Sequence, residues 1–519
     1  MDCTSIVQLP NEILLYIFNK LNVIDVFYSL VGVNQRFDQL IFDFLDIDNI
    51  PSIFHQKYIN GKSQHDYILD KICLKILPRI NTKIRKLTID PYSLKRMVNA
   101  IDFPQLYSLS LLGYQIDTIS SDLINGPISD LLMNKITHLT IDLNIKKEIT
   151  RENSPMIFEA ILFFGKYLTD LKFYQVSSES NLTFFSWNNQ NKECLSSTLN
   201  NLSIYVSNFD DCLYLLDGRF QSLSKLVIRI EMITRSLSNI NKKEKLIKLK
   251  SFSLICEQCT CSYESSIVPL LRRMSNLEEL SLQISVRRLR STYIDGYQLF
   301  NDFLKYLTKL NKFNFNIHSY IISGIENNIL SNNDIRNSFI NIGYKSIDIC
   351  ADEKLTDYRA NCHVYSLPYL FDEFLFMSNC FQGGKFNNVK ILFMVDRIPF
   401  ENKLFKIISQ DFTNLKTLII HNLESQESQE CSSALITFNN LITLNIIDAH
   451  SDYAIQFLNE NITYLPSLEK LITTYDTLTH ITGYFTNDET RRNCTKIKYL
   501  RTDISFVRPK NFNSYFPSM

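Results

Sequence analysis

Nothing in the 519 residues approaches the roughly 20 consecutive apolar residues that a membrane-spanning helix requires. The apolar run Ile13–Phe18 near the amino end stops at Asn19-Lys20, and no small-residue cleavage site follows it, so no secretory leader is expected. An excess of charge of either sign is also missing: 54 basic residues balance 54 acidic ones. That balance argues against nucleic-acid binding by bulk charge, leaving only a local basic stripe open, and against polybasic attachment to a membrane. The 12 cysteines show no disulfide-framework spacing, which points to reduced thiols in an intracellular protein, cytoplasmic or nuclear. No H-E-x-x-H, G-x-S-x-G or dinucleotide fingerprint occurs, and Gly383-Gly384-Lys385 lacks the rest of a phosphate-binding loop. Cys256, Cys259 and Cys261 lie close together, but no second Cys or His pair follows at a zinc-site distance. No catalytic residue, metal or cofactor is therefore expected, and the chain is read as a non-enzyme.

What the sequence does contain is repetition. A pattern L-x-x-L-x-L, with Ile, Val, Phe or Tyr allowed, starts at Ile84, Leu106, Ile136, Leu168, Leu199, Leu223, Leu249, Leu277, Leu310, Tyr344, Val389, Leu415, Leu441, Leu468 and Ile497. These fifteen copies stand 22 to 45 residues apart, a mean of about 29–30, at the upper edge of leucine-rich repeats. Alternation within each copy predicts a short strand with one face inward. Between copies, helical patterns appear in "SPMIFEAILFFGKYL", "DGYQLFNDFLKYLTKL" and "DYAIQFLNENITYLPSL". Stacked strand–helix units predict an α/β solenoid, an irregular leucine-rich-repeat horseshoe. The uneven spacing and the lack of a glycine-rich βα turn argue against an α/β barrel or a doubly wound domain. The asparagine that often follows the repeat core is absent, so the backbone turns must be satisfied in another way. The longest step contains Leu367–Phe386, expected to be a long convex helix plus loop, or else a lid or partner-binding insert hinged at Gly383-Gly384.

The amino end is different. In "LPNEILLYIFNKLNVIDVFYSLVGVNQRFDQLI", Leu9 to Ile41, Pro10 suits the first turn of a helix and Glu12 its positive end. Ile13, Leu14, Ile17, Phe18 and Leu21 form one apolar stripe. Asn22 can cap a second helix carrying Val26, Phe27, Leu30 and Val31, and a third carries Phe37, Leu40, Ile41 and Phe44. Three short helices cannot enclose so many large side chains. Each one fully buried contributes roughly 1.5–3 kcal/mol, so an open apolar patch marks a protein-binding surface.

This stretch resembles the F-box motif. The resemblance rests on Leu9-Pro10, Glu12-Ile13-Leu14, Ile17-Phe18, Leu21, Asp25-Val26, Leu30, Val33-Asn34 and Arg36-Phe37, with Asn34 where Cys is frequent and Phe37 where Trp is frequent. It implies docking onto a Skp1-like adaptor and, through it, a cullin. By that resemblance Leu9, Pro10, Ile13, Leu14, Ile17, Phe18, Leu21, Val26, Leu30 and Val33 form or support the adaptor surface. The implied organisation is an F-box with three helices over residues 1–45, a helical linker and cap over 46–83 that includes the amphipathic Tyr67–Leu77, and the repeats over 84–519. The implied role is substrate receptor of a Skp1–cullin–F-box type ubiquitin ligase, with no nucleic-acid or membrane partner. The alternative is a leucine-rich interaction scaffold whose F-box-like segment only caps the solenoid.

Alternation places Tyr174, Tyr205, Arg229, Glu279, Asn314, His421 and Arg501 on the concave face, a mixed polar and aromatic set suited to a protein substrate that the sequence does not identify. Arg287, Arg288 and Arg290 form a tight cluster, read as solvated loop and helix ends, with an edge that recognises an acidic peptide or phosphate as the alternative. "CAD" at Cys350–Asp352 resembles the catalytic loop of bacterial leucine-rich-repeat ubiquitin ligases. That family carries its cysteine in a separate helical domain, whereas Cys350 ends a repeat strand, so no catalytic role is assigned to it.

Overall fold

The structure is a computed structural model describing residues 6–45, 49–50, 62–124, 126–143, 154–175, 196–235, 245–289, 291–322, 329–352, 354–355, 358–427 and 435–519. Arg290 and much of the segment 46–61 lie outside the described residues. The chain divides into two compact units, residues 1–254 with 269–279, and residues 255–268 with 280–519.

In the first unit, β1 (Asn49–Ile50), β2 (Lys86–Ile89), β3 (Ser108–Tyr114), β4 (His138–Leu143), β5 (Asp170–Gln175), β6 (Asn201–Val206) and β7 (Lys225–Ile230) pair in parallel in chain order. β8 (Ser251–Cys256) follows with the same inward alternation. The register aligns one leucine per strand, with Leu87, Leu109, Leu139, Leu171, Leu202 and Leu226 side by side and nearly inaccessible. Helices return between strands. One of them, Pro91–Ala100, starts at Asp90, whose carboxylate accepts from the amides of Tyr92 and Ser93.

The backbone turns are satisfied by a recurring device. One carbonyl oxygen accepts from two successive amides at the start of the next strand: Arg85 from Tyr107 and Ser108, Tyr107 from Thr137 and His138, Thr137 from Thr169 and Asp170. The second unit does the same, with Lys390 accepting from Lys416 and Thr417 and Lys416 from Ile442 and Thr443. Buried backbone groups need partners, and this double acceptance supplies some of them. Asparagine side chains just before four of the copies supply others: Asn276, Asn388, Asn414 and Asn440 donate through Nδ2 to the carbonyl oxygens of Ile247, Tyr369, Asn387 and Thr413.

In the second unit β9 (Glu279–Leu289) and β10 (Lys312–Ile322) are each eleven residues long. The sheet there turns antiparallel. β10 pairs antiparallel with β12 (Arg359–Ser366), and β12 antiparallel with β11 (Ile347–Ala351). A separate six-stranded parallel sheet follows, of β13 (Glu373–Met377), β14 (Ile391–Val395), β15 (Thr417–His421), β17 (Thr443–Asn445), β19 (Lys470–Ile472) and β20 (Tyr499–Arg501), while β16 (Ile436–Thr437) pairs with β18 (Thr463–Tyr464).

These features overturn the expected leucine-rich-repeat horseshoe with a three-helix F-box. The protein has an open α/β fold with a mixed sheet and further separate sheets, and among the described residues no sheet closes on itself. Each of the fifteen pattern copies does contain a strand, yet alternation specifies only that a strand forms and which face is inward. Pairing direction is set by the connection. Around β10 to β12 the chain returns as hairpin-like antiparallel strands, and β12 has no copy of the pattern. At the amino end, the helices α1 (Asn11–Lys20), α2 (Val23–Ser29) and α3 (Gln35–Gln39) do not form a separate three-helix module. α3 is five residues long and runs directly into a π-helical turn, Leu40–Phe44. The helical run Lys62–Lys71, Ile72–Ile76 and Leu77–Ile80 packs on the same residues, making them part of the first unit.

Leu367–Phe386 is not a convex helix. It contains β13, and Tyr369, Phe371, Phe374, Phe381 and Phe386 are buried in one aromatic cluster. Phe386 stacks on Phe412 at 4.7 Å and meets Phe374 edge-on at 5.3 Å. A Cβ on Gly384 would lie 2.6 Å from the Phe386 ring, so glycine there admits the ring. Gly383, at φ +102°, takes the left-handed turn before it. Both glycines serve packing, and the segment is part of the core.

Candidate functional site

The amino-terminal helices have an anchored side and an open side. Pro10 is the residue immediately before α1, and its carbonyl oxygen accepts from Leu14 N–H at 3.1 Å. Asn22 caps α2, its Oδ1 accepting from Ile24 N–H at 2.8 Å. Asn34 caps α3, accepting from Phe37 N–H at 2.8 Å. The two departures from the commonest F-box pattern thus have local work: Asn34 is a cap, and the Phe37 ring meets Phe18 edge-on at 5.4 Å. Gly32, at φ +86°, makes the turn between α2 and α3, and its amide donates to Asp38 Oδ1.

The anchored side is apolar and cross-braced. Leu14, Phe18, Ile24, Val26, Phe27, Phe37, Leu40, Ile41 and Phe42 are buried. Lys71 Nζ donates to Tyr28 O at 2.8 Å, Lys83 Nζ to Phe42 O at 2.7 Å, and the Arg79 guanidinium lies 3.7 Å from the centre of the Phe42 ring. Burial lowers the pKa of the Lys71 amine, Lys75 adds to this, and Asp38 opposes it.

The open side holds the rest of the expected adaptor set. Pro10, Ile13, Leu21 and Val33 are exposed, with Ile13 at 47%, Leu21 at 48% and Val33 at 59%, while Leu9, Ile17 and Leu30 are half-buried. Ile6, Val7, Tyr16 and Phe44 add further exposed apolar area. Ile13 and Ile17 are one turn apart on α1, about 100° around the helix from the buried Leu14 and Phe18. The ten residues therefore sort into seven that reach the surface and three, Leu14, Phe18 and Val26, that support it from beneath.

Of the expected substrate-facing residues, Tyr174, Tyr205 and Arg229 come together in the first unit. Tyr205 pairs with Arg229, and Phe173 with Ile204, which puts Tyr174 level with Tyr205 on the next strand. Tyr174 is 45% exposed. Glu279 opens β9 and accepts from Ser251 Oγ at 3.2 Å. Asn314, His421 and Arg501 sit on different strands of the second unit, His421 with Asp448 at 3.6 Å and Arg501 level with Ile472. Arg288 is buried, donating to Gln298 and Glu264, so it is a structural cation.

The second unit also holds a cavity of about 810 Å³ that the sequence did not signal, lined by Cys259, Ser285, Arg287, His318, Asp352, Asn361, Phe376, Ser378, Cys380 and Asp396 among others. His318 stacks on Phe376 at 4.3 Å, with Nδ1 2.8 Å from Ser285 Oγ and Nε2 3.2 Å from Asn361 Oδ1. Burial pushes the His318 imidazole down to about 4, against the raising effect of Asn361. Cys350 is 4% exposed, and its thiol is pushed well up by its hydrogen bond to Cys380 and by burial. It is a poor first nucleophile. Among the described residues no cluster of His, Cys, Asp and Glu suits a metal ion, and no helix is long and apolar enough to cross a membrane.

No family model matches the chain, and no curated protein matches it.

Proposed function

We propose that this protein is the substrate-recognition subunit of a Skp1–cullin–F-box type ubiquitin ligase. Its amino-terminal F-box-like segment binds a Skp1-like adaptor, and its sheet units hold a protein substrate. One observation carries the reading: the residues that give Leu9–Ile41 its resemblance to the F-box motif include an exposed apolar set, Pro10, Ile13, Leu21 and Val33, in and between helices that are anchored through their other residues. A surface with this combination is suited to a partner that completes the burial. The row Tyr174–Tyr205–Arg229 offers a substrate two aromatic anchors and a guanidinium, the residue types enriched at binding hot spots. In this role the chain makes and breaks no bonds. Holding the substrate beside a charged conjugating enzyme raises the effective concentration of its lysines.

Co-purification of the full chain with a Skp1-like adaptor and a cullin tests the proposal. The wild type is expected to carry both, and Leu9→Ala/Pro10→Ala to carry neither while remaining folded. Retention by the double variant removes the reading. A second reading, a scaffold whose amino-terminal segment only caps the fold, is favoured by the burial of Leu14, Phe18 and Val26 and by the Lys71 and Lys83 braces. It predicts no adaptor in either sample.

A further inference from the structure

The second unit brings together two cysteines 30 residues apart in the sequence, Cys380 on the cavity wall and the buried Cys350. Cys350 ends near the close of β11, and Cys380 follows β13. The two thiols are near enough to act on each other, Cys380 raising the pKa of Cys350 and Cys350 lowering that of Cys380. Their surroundings interlock: Cys350 Sγ lies 3.0 Å from Ser378 Oγ, two residues before Cys380, and Cys380 Sγ lies 3.8 Å from the carbonyl oxygen of Ala351, the residue after Cys350. One thiol is reachable and the other is not. Cys380 is half-buried and lines the cavity, whereas Cys350 is 4% exposed. This is the arrangement of an attacking cysteine with a resolving cysteine behind it.

The electrostatics agree with that division. The hydrogen bond from Cys350 lowers the pKa of the Cys380 thiol and outweighs burial; Ser378 lowers it further, while Asp352 and Asp396 raise it. Cys259, also on the cavity wall, is exposed, but burial of its sulfur raises its pKa. Reactivity follows the thiolate fraction as well as access, so Cys380 is favoured over Cys259.

We propose that Cys380 and Cys350 are a redox-active pair that a low-molecular-weight disulfide of the oxidised-glutathione class converts into an intramolecular disulfide. The Cys380 thiolate attacks one sulfur of the small disulfide. The small molecule's S–S bond breaks, a mixed disulfide forms on Cys380, and one thiolate leaves. The Cys350 sulfur then attacks Cys380 Sγ, breaking the mixed disulfide and releasing the second small thiolate. The two protons lost by the cysteines are taken up by the two departing thiolates. Two protein thiols are oxidised and one small disulfide is reduced to two thiols. In an intracellular setting such a bond is reversible and regulatory. It would remove the Cys380 thiol from the cavity wall. The proposal stands apart from the ligase reading and uses none of its residues.

The test uses the full-length wild-type chain under native conditions, incubated with oxidised glutathione, blocked with an alkylating agent and mapped by non-reducing peptide mass spectrometry. The expected product is a cross-linked peptide pair joining Cys350 to Cys380, returned to thiols by dithiothreitol. Cys350→Ser is expected to stop at the mixed disulfide and accumulate glutathione on Cys380. Without any variant, iodoacetamide at neutral pH is expected to label Cys380 at least about fivefold faster than Cys259. Equal or slower labelling of Cys380, glutathione found only on Cys259 or Cys261, or a Cys350–Cys362 bond in place of the expected one would each overturn the proposal.

Discussion

Arg36 on α3 donates through Nη2 to the carbonyl oxygen of Leu9 at 2.6 Å, across 27 residues of chain. The same guanidinium donates to Val7 O at 2.6 Å and, through Nε, to Asn11 Oδ1 at 2.8 Å. One planar cation therefore holds the whole entry to α1, keeping Leu9-Pro10 at the edge of the apolar surface. An ammonium group cannot reproduce this fork.

Removing that clamp is expected to loosen the entry and leave the rest of the protein intact. In Arg36→Ala, hydrogen exchange of residues 6–20 is predicted to speed up by about tenfold or more, from loss of charged hydrogen bonds worth roughly 1.5–3 kcal/mol together. Arg36→Lys is predicted to recover only part of the protection. Unchanged exchange in Arg36→Ala contradicts the clamp.

The open and anchored sides of α1 predict opposite mutational outcomes. Phe18→Ala removes a ring that is 1% exposed and in edge contact with Phe37, and is expected to cost roughly 3–5 kcal/mol in denaturant unfolding. Ile13→Asp places a charge where the side chain is already 47% exposed, and is expected to change stability by less than about 1 kcal/mol. A large loss in Ile13→Asp means that Ile13 belongs to the core.

Two buried imidazoles set an acid limit on the second unit. His318 and His363 are pushed by burial to about 4 and about 3, with His318 further lowering His363. Both folded-state values lie below the unfolded value near 6.5, so the unfolded chain binds more protons as the pH falls. Their contribution is present above about pH 6.5 and is lost as the pH drops toward 4 and 3. His318→Gln is predicted to flatten the loss of stability between pH 6 and 4, by roughly 2 kcal/mol of the wild-type change. Equal slopes for variant and wild type contradict the burial argument.

Asp211 carries the opposite sign. It sits in the first turn of the helix Phe209–Leu215 and accepts from the Asn208 amide, yet burial raises its carboxyl to about 7, over the lowering effect of the Asn208 amide. A folded-state value above the unfolded one gives stability at low pH that fades as pH rises through 7. Asp211→Asn keeps an acceptor and removes the ionisation. It is predicted to raise stability at pH 8 by roughly 2–4 kcal/mol and to change it little at pH 4. A lower melting point at pH 8 contradicts the assignment.

The strands were legible because a six-residue alternation is a local property: Ile84 to Ile89 announces β2, and Leu415 to Ile420 announces β15. The cap at Asn22 was legible for the same reason. Pairing direction was not. Nothing local in "RANCHVYS" states that it returns antiparallel to β10, because that depends on how a connection packs. The aromatic cluster of Tyr369, Phe374 and Phe386 was hidden for a related reason: its rings meet across turns, outside any single period. The site was half legible. The apolar stripe Ile13–Leu21 showed itself, but which members face outward depends on the helical run 62–80 packed beneath, and the Arg36 clamp and the Cys350–Cys380 contact join residues 27 and 30 positions apart.

The most direct measurement is a calorimetric titration of the full chain with a purified Skp1-like adaptor, for the wild type and for Ile13→Asp/Val33→Asp. The account predicts a one-to-one complex for the wild type. It predicts at least a hundredfold weaker binding, about 2.7 kcal/mol, for the double variant, whose unfolding midpoint stays unchanged. No binding by the wild type, or equal binding by both proteins, would contradict it.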